Sequence, residues 1–281
     1  MAHTYASLAK FKDFLRDEGA TKYSTVADEI MLEILEASSR RVDEYAERSP
    51  RFGSGFGPRI GTNRYDPPCG QCLELDDDLL SITSVTTYDT VGGTATTLTD
   101  ETDFYKEPYG GTPYRRLRIH EASSAAWGTA TRGGGVIVGS WGERDERVAS
   151  TTTVSSGLAS EAAATTFTTS ASPTIQVGQT LRIGTEQIYL TALSGTTATV
   201  ERGANGTTAA VHANASAIDV YQYHPRVVRT TMRIGHLEWK ARDAGNSPNY
   251  GGGQIPTTSP TSSEWSILNA GLSGLAYRSA D

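Results

Sequence analysis

The chain has 281 residues, 37% of them hydrophobic, with 29 Gly and a formal net charge of −7. That length allows one large or two modest domains, and the low apolar share predicts a thin-cored, β-rich protein that buries further surface in an assembly. The acidic balance argues against non-specific nucleic-acid binding, yet it suits a protein past which DNA slides without being gripped. Residues 1–15 lack the apolar core of a secretory leader, because Lys10 and Lys12 interrupt them, and no run reaches transmembrane length. Synthesis in the cytosol and no membrane association are therefore expected.

A short helix is predicted over Tyr5 to Asp17, capped by Ser7, with Leu8, Phe11, Phe14 and Leu15 on one face and Gly19 at its end. A longer helix is predicted over Thr25 to Arg48. Val26, Ile30 and Ile34 form one apolar line, with Met31, Leu35, Val42 and Tyr45 beside it. Thr25 is its expected cap and Pro50 its stop. So long a stripe needs partner helices, and the pair reads as a helical hairpin.

Residues 51–66 mix Gly with Arg51, Arg59 and Arg64 and with Phe52, Phe56 and Tyr65. Interleaved basic and aromatic residues resemble a nucleic-acid strip. Given the acidic chain, the favoured reading is a Gly-rich loop docking on a neighbouring subunit through Arg51, Phe52, Phe56, Arg59 and Arg64. From Gln71 to Gly142 the apolar period becomes two. Strands are predicted at Leu73–Leu75, Leu80–Thr86, Phe104–Lys106, Tyr114–Ile119 and Gly135–Trp141, with tight turns at 91–94 and 109–113. Together they describe an antiparallel sheet or sandwich.

A second β unit follows. Strands are expected at 165–169, 180–183, 187–193, 198–202 and 217–221, and their close spacing predicts a small barrel. The low-complexity stretch 155–164 before them reads as a linker. Pro225 then opens a third helix carrying Val227, Val228, Met232, Ile234, Leu237 and Ala241 on its apolar side, ended by Gly245. The tail 246–263 is Gly, Pro, Ser and Thr, expected to be extended. It leads to Trp265, Ile267, Leu268, Leu272 and Leu275, an apolar segment that is either an anchor for a partner or a final helix folding back.

The expected fold is thus α+β: a three-helix bundle with a projecting antiparallel β domain, an inserted small β-barrel-like module and an extended C-terminal tail. In residues these are 1–50 for the helical hairpin, 51–149 for the β domain, 150–223 for the inserted module, 224–245 for the third helix and 246–281 for the arm.

No residue pattern argues for catalysis, a cofactor or a metal. Cys69 and Cys72 lie between a Pro pair and a strand, the setting of ordinary thiols rather than of zinc or redox chemistry. Asp76, Asp77 and Asp78 read as a solvated turn, since consecutive strand residues point to opposite faces. The five histidines are scattered, and Glu143, Asp145 and Glu146 are too close in sequence to flank a scissile bond.

The order helix pair, LELDDDLLSITSVT, GTPYRRLRI, VIVGSWG and a helix after Pro resembles the head-to-tail connector, or adaptor, proteins of tailed bacteriophages. Leu79–Val85, Gly111–Tyr114 and Gly139–Gly142 carry the likeness, and the 177–221 part resembles a β module often attached to such proteins. The resemblance implies a non-enzymatic virion protein that forms a ring, typically dodecameric, beneath the portal. It also implies portal and stopper or tail-completion proteins as partners, with double-stranded DNA passing without sequence-specific contact. Trp265, Ile267, Leu268, Leu272 and Leu275 would then be a portal-binding arm. The alternative expectation is a decoration or adhesion protein binding carbohydrate through Tyr189, Tyr221 and Tyr223 of the inserted module. A tail-spike hydrolase ranks last.

Overall fold

The computed structural model describes residues 3–20, 23–45, 55–90, 93–129, 132–159, 162–243 and 262–272. It is a mixed α and β protein with four helices and two β systems among the described residues. The chain divides into two compact units, one containing the helices and a closed barrel, the other an antiparallel sheet.

In the first unit, α1 (Leu8–Asp17) starts where expected: Ser7 is the N-cap and its hydroxyl accepts from the Lys10 amide. Leu8, Phe11 and Leu15 are buried, and Gly19 leaves the helix with φ 72°. The second helix, α2 (Asp28–Tyr45), starts three residues later than predicted. Thr25 closes a short 3-10 turn, Tyr23–Thr25, instead of capping α2. The buried stripe is Met31, Leu35, Ser38, Ser39 and Val42; Val26, Ile30 and Ile34 flank it half-buried. Pro225 opens α3 (Pro225–Asp243) as predicted, but Trp239 rather than Leu237 or Ala241 completes its buried face. One apolar cluster joins Ala6, Leu8, Phe11 and Leu15 to Met31 and Leu35 and to Val228, Met232 and Trp239.

The second unit is one sheet. Its strands are β1 (Arg59–Tyr65), β2 (Cys72–Tyr88), β3 (Ala95–Leu98), β4 (Phe104–Glu107), β5 (Tyr114–Ile119) and β6 (Gly135–Trp141). The order is β1-β6-β2-β5-β4, with β3 also on β2. The 17-residue β2 is central: β6 lines one edge, while β5 and then β3 share the other. Two expectations fail here. The Gly-Arg stretch is not all loop, because residues 59–65 pair residue for residue with β6. The three aspartates are not a solvated turn. They lie inside β2, where the register against β5 shifts between Glu74 and Leu79, and this irregularity buries Asp77, Asp78 and Leu79 in succession. Arg115 Nε donates to Asp78 Oδ1 at 2.9 Å, which meets the cost of burying that charge. Leu73, Leu75, Leu79, Phe104, Leu117, Ile137 and Trp141 form the core of this sheet.

The predicted barrel is present. Strands β7 (Arg147–Ser156), β8 (Thr166–Thr169), β9 (Thr180–Ile183), β10 (Glu186–Ser194), β11 (Thr197–Glu201) and β12 (Ala217–Tyr221) close in the order β10-β11-β8-β7-β12-β9. The linker expected over 155–164 is absent as such. Its first residues end β7, and Leu158 is fully buried in the barrel core with its carbonyl accepting from the His212 amide. In β7, Thr152 and Val154 face inward while Thr151, Thr153 and Ser155 face the other way, so polar composition concealed a strand. Closure satisfies the strand edges that an open sheet of this size would expose.

The barrel also docks on the helices. Leu8 N–H donates to Val177 O at 2.9 Å, Thr4 Oγ1 to Gly178 O at 2.7 Å, and Tyr189 Oη to Glu36 Oε1 at 2.9 Å.

Candidate assembly surfaces

The predicted arm is where the structure is most informative. Residues 262–272 form α4 (Ser262–Leu272), the final helix folding back that was the alternative reading, rather than part of an extended arm. Trp265, Leu268 and Leu272 recur at three- and four-residue spacing, which makes one stripe of a helix. Leu268 and Leu272 are fully buried and α4 packs against α3. Trp265 sits at the stripe's edge, 45% exposed, with its ring 5.3 Å from that of Tyr45 in an edge-on arrangement. The Tyr45 hydroxyl donates to Asn269 Oδ1. At Gly271 the helices approach so closely that a Cβ would lie 2.0 Å from Thr230 Oγ1. Of the named arm residues, the seat on α3 thus takes Leu268 and Leu272, while Trp265 and Ile267 retain exposed surface. Leu275 lies outside the described residues, as does most of the stretch expected to be extended.

The expected contact loop is not brought together as a strip. Phe56 and Tyr65 are buried, Tyr65 in the sheet core, so neither aromatic ring is presented beside the arginines. Arg59 and Arg64 stand on β1 at odd separation and point to opposite faces. Arg51 and Phe52 lie outside the described residues.

Three polar clusters were not foreseen. In the barrel, the buried Glu186 carboxylate receives both Arg202 Nε and Nη2 at 2.8 Å, the Gly203 and Ala210 amides at 2.9 and 3.0 Å, and His212 Nε2 at 2.8 Å. Burial opposes its ionisation, but Arg202, the two amides and His212 outweigh that and hold its carboxyl below the usual range. At the end of α2, Tyr5 donates to Asp43, which pairs with Arg40 Nη1 at 2.9 Å, and Arg40 Nη2 lies 2.8 Å from His3 Nε2. Where the barrel meets α2, burial raises Glu36, partly offset by the Tyr189 hydrogen bond, and burial with the Glu36 charge pushes the Tyr189 phenol up. Apart from the i,i+3 pair Arg40–Asp43, the partners lie 16 or more residues apart in sequence, so periodicity carried no trace of them. All three act as internal staples.

The tyrosines of the carbohydrate reading are not an exposed platform. Tyr189 is fully buried, Tyr221 is 4% exposed, and Tyr223 is half-buried with its phenol pushed up to about 12 by desolvation. Glu143 is paired with the neighbouring Arg144 at 3.5 Å, while Asp145 and Glu146 are exposed. Cys69 and Cys72 are free thiols, and among the described residues no group of three or more His, Cys, Asp or Glu is placed to hold a metal ion. A groove of about 240 Å³ at the start of α1 is lined by Tyr5, Ser7, Lys10, Gln176, Gln179 and Tyr223, among others. Among the described residues no helix is long and apolar enough to cross a membrane.

Comparison with protein-family models, with curated proteins and with solved structures returns no match for this chain.

Proposed function

We propose that this protein is a head-to-tail connector of a tailed bacteriophage: a virion component at the neck that forms a homo-oligomeric ring between the portal and the stopper or tail-completion protein and extends the DNA channel. One observation carries the reading. The three stretches that prompted the resemblance are scattered over more than sixty positions, yet they meet in one place. Leu79 is the register partner of both Tyr114 and Trp141, Ser81 that of Ser140, and Ile82 that of Gly139. Gly139 is required there, since a Cβ would lie 2.2 Å from Ser81 O. The reading is supported by these stretches forming one patch of the sheet rather than three separate pieces.

In this reading α1, α2 and α3 form the bundle that holds each subunit in the ring, and the barrel is an added module. The net charge of −7 suits a channel that a polyanion must traverse without sticking. The exposed edge of α4, Trp265 and Ile267, is the portal-facing side of the arm. The test is to mix the purified protein with portal and image the particles. A ring coaxial with the portal is expected, and portals that stay bare at saturating protein would refute the proposal. Removing residues 264–281 is expected to abolish attachment while the barrel and sheet remain folded.

A further inference from the structure

One face of α3 is basic in a chain whose net charge is −7. Arg226, Arg229 and Arg233 are exposed and Lys240 is half-buried. At about 100° per residue the four fall within an arc of about 60° and run along about 21 Å of the helix. No acidic residue of α3 lies in that arc, and Leu237, which periodicity assigned to the buried side, stands half-buried at its edge. Arg229 and Arg233 make no ion pair among the described residues.

The opposite stripe is on α2. Glu29, Glu33 and Glu44 are exposed, with Ala37 exposed beside them. They too fall within an arc of about 60°, and they run along about 22 Å. Arg40 shares the arc, but its guanidinium turns to Asp43 and His3. Glu36 borders the stripe; burial raises it most, and the charges of Glu201 on the barrel and of Glu33 raise it further. Where α2 and α3 touch, a Cβ on Gly235 would lie 3.3 Å from Ser38 Oγ. Each stripe lies about 150° round its helix from that point, so the two face away from each other on opposite sides of the pair.

Neither stripe is favoured by its own helix. Arg229 and Arg233, like Glu29 and Glu33, are like-charge pairs one turn apart. The first turn of α3 has Arg226 and no acidic residue, and the last turn of α2 has Glu44 and no basic one, the reverse of what the helix dipole rewards. A surface of opposite charge relieves both helices.

We propose that the two stripes meet between copies: the basic face of α3 in one subunit docks on the acidic face of α2 in the next. This rests on the ring reading above. The faces are different and point to opposite sides, so the contact is heterologous and closes into a ring when the rotation allows. Leu237 and Ala37 supply apolar surface to it, while the charges set partner, orientation and rate of assembly.

Charge reversal tests the contact. Arg229→Glu/Arg233→Glu sets acid against acid, and Glu29→Lys/Glu33→Lys sets base against base. Each double variant is compared with wild type by sedimentation of the protein alone and by imaging with portal, with circular dichroism to check its helices. Either is expected to raise the concentration needed for ring formation by about tenfold or more. Mixing the two in equal amounts is expected to restore rings, because every contact of an alternating ring again joins opposite charges. The chain carrying all four substitutions is expected to do the same, and such recovery excludes misfolding as the cause of the loss. Rings unchanged in both double variants, or lost in each and regained neither by mixing nor in the fourfold chain, would overturn the inference and leave the connector reading standing. Rings kept by Arg229→Glu/Arg233→Glu while that variant alone loses retention of a short double-stranded DNA would give the α3 face to DNA and also overturn it. A wild type that forms no ring, alone or on portal, would overturn both.

Discussion

Replacing Leu268 and Leu272 by Ala is expected to release α4 without unfolding the rest of its unit. Both side chains are fully buried, and neither belongs to the apolar cluster that joins α1, α2 and α3. Truncating a buried Leu to Ala costs about 2–5 kcal/mol. Taking about 3 kcal/mol for each, one substitution lowers the docked-to-released ratio roughly a hundredfold, and two lower it by about ten-thousandfold. An 11-residue helix is marginal on its own, so once released it also unwinds. Hydrogen exchange followed by mass spectrometry is the assay. Amides of 262–272 should exchange orders of magnitude faster in the double variant, while those of α1 and α2 keep their protection. The global transition can lose no more than the docking free energy itself, so its midpoint should move far less than the roughly 12–24 °C that about 6 kcal/mol would give in a unit of this size. Unchanged protection of α4, or a collapse of protection across all helices together, would refute this account of the seat.

Arg202→Met leaves Glu186 buried without its main partner and is expected to destabilise the barrel by about 3–5 kcal/mol, with much of that recovered in Glu186→Gln/Arg202→Met, as read by denaturant midpoints. Because Glu186 is held below its ordinary value of 4.5, its contribution is intact above that pH and disappears as pH falls through the lowered value. The gap between wild type and Arg202→Met should therefore narrow in acid. His236, lowered first by burial and then by Lys240, adds an earlier loss of helical stability as pH drops below its ordinary 6.5; melting His236→Gln beside wild type across pH 7 to 5 checks it. Gly139→Ala drives a Cβ to 2.2 Å from Ser81 O and should cost about 3 kcal/mol or more, whereas Gly61→Ala, whose nearest neighbour is Trp141 Cδ1 at 3.8 Å, should cost under about 1 kcal/mol.

What the sequence disclosed follows from which interactions are local. Ser7 announced α1 because a cap acts within one turn, and Pro225 announced α3 for the same reason. The strands 180–183 and 217–221 were read to the residue, since alternation and flanking turns are local too. The failures share a different cause. Asp78 looks solvated until Arg115, brought alongside by β5, explains how it is buried. Residues 155–164 read as a linker because barrel closure, not their composition, decides that Ser155 and Ser156 end β7 and that Leu158 is buried. Of the arm, the apolar spacing was visible, but whether Leu268 and Leu272 face a partner or α3 depends on Gly271 meeting Thr230, a contact made across forty residues.

The barrel shows most clearly why insertion in sequence is not independence in structure. Its two ends meet, with Gln222 N–H donating to Glu146 O at 2.8 Å, so on paper it could be cut out and the chain rejoined. Yet it supplies the acceptors for Leu8 N–H and Thr4 Oγ1, packs Val177 against the helical cluster, and buries Tyr189 against Glu36. Removing it would leave the first turn of α1 without these partners and expose apolar surface that α1 and α2 now share with it, each loss costing on the order of 1 kcal/mol or more. The helices proposed to hold the ring together are thus packed partly on the module inserted between them. A change in how the barrel is seated therefore reaches α1 and α2 directly, through Leu8 and Glu36.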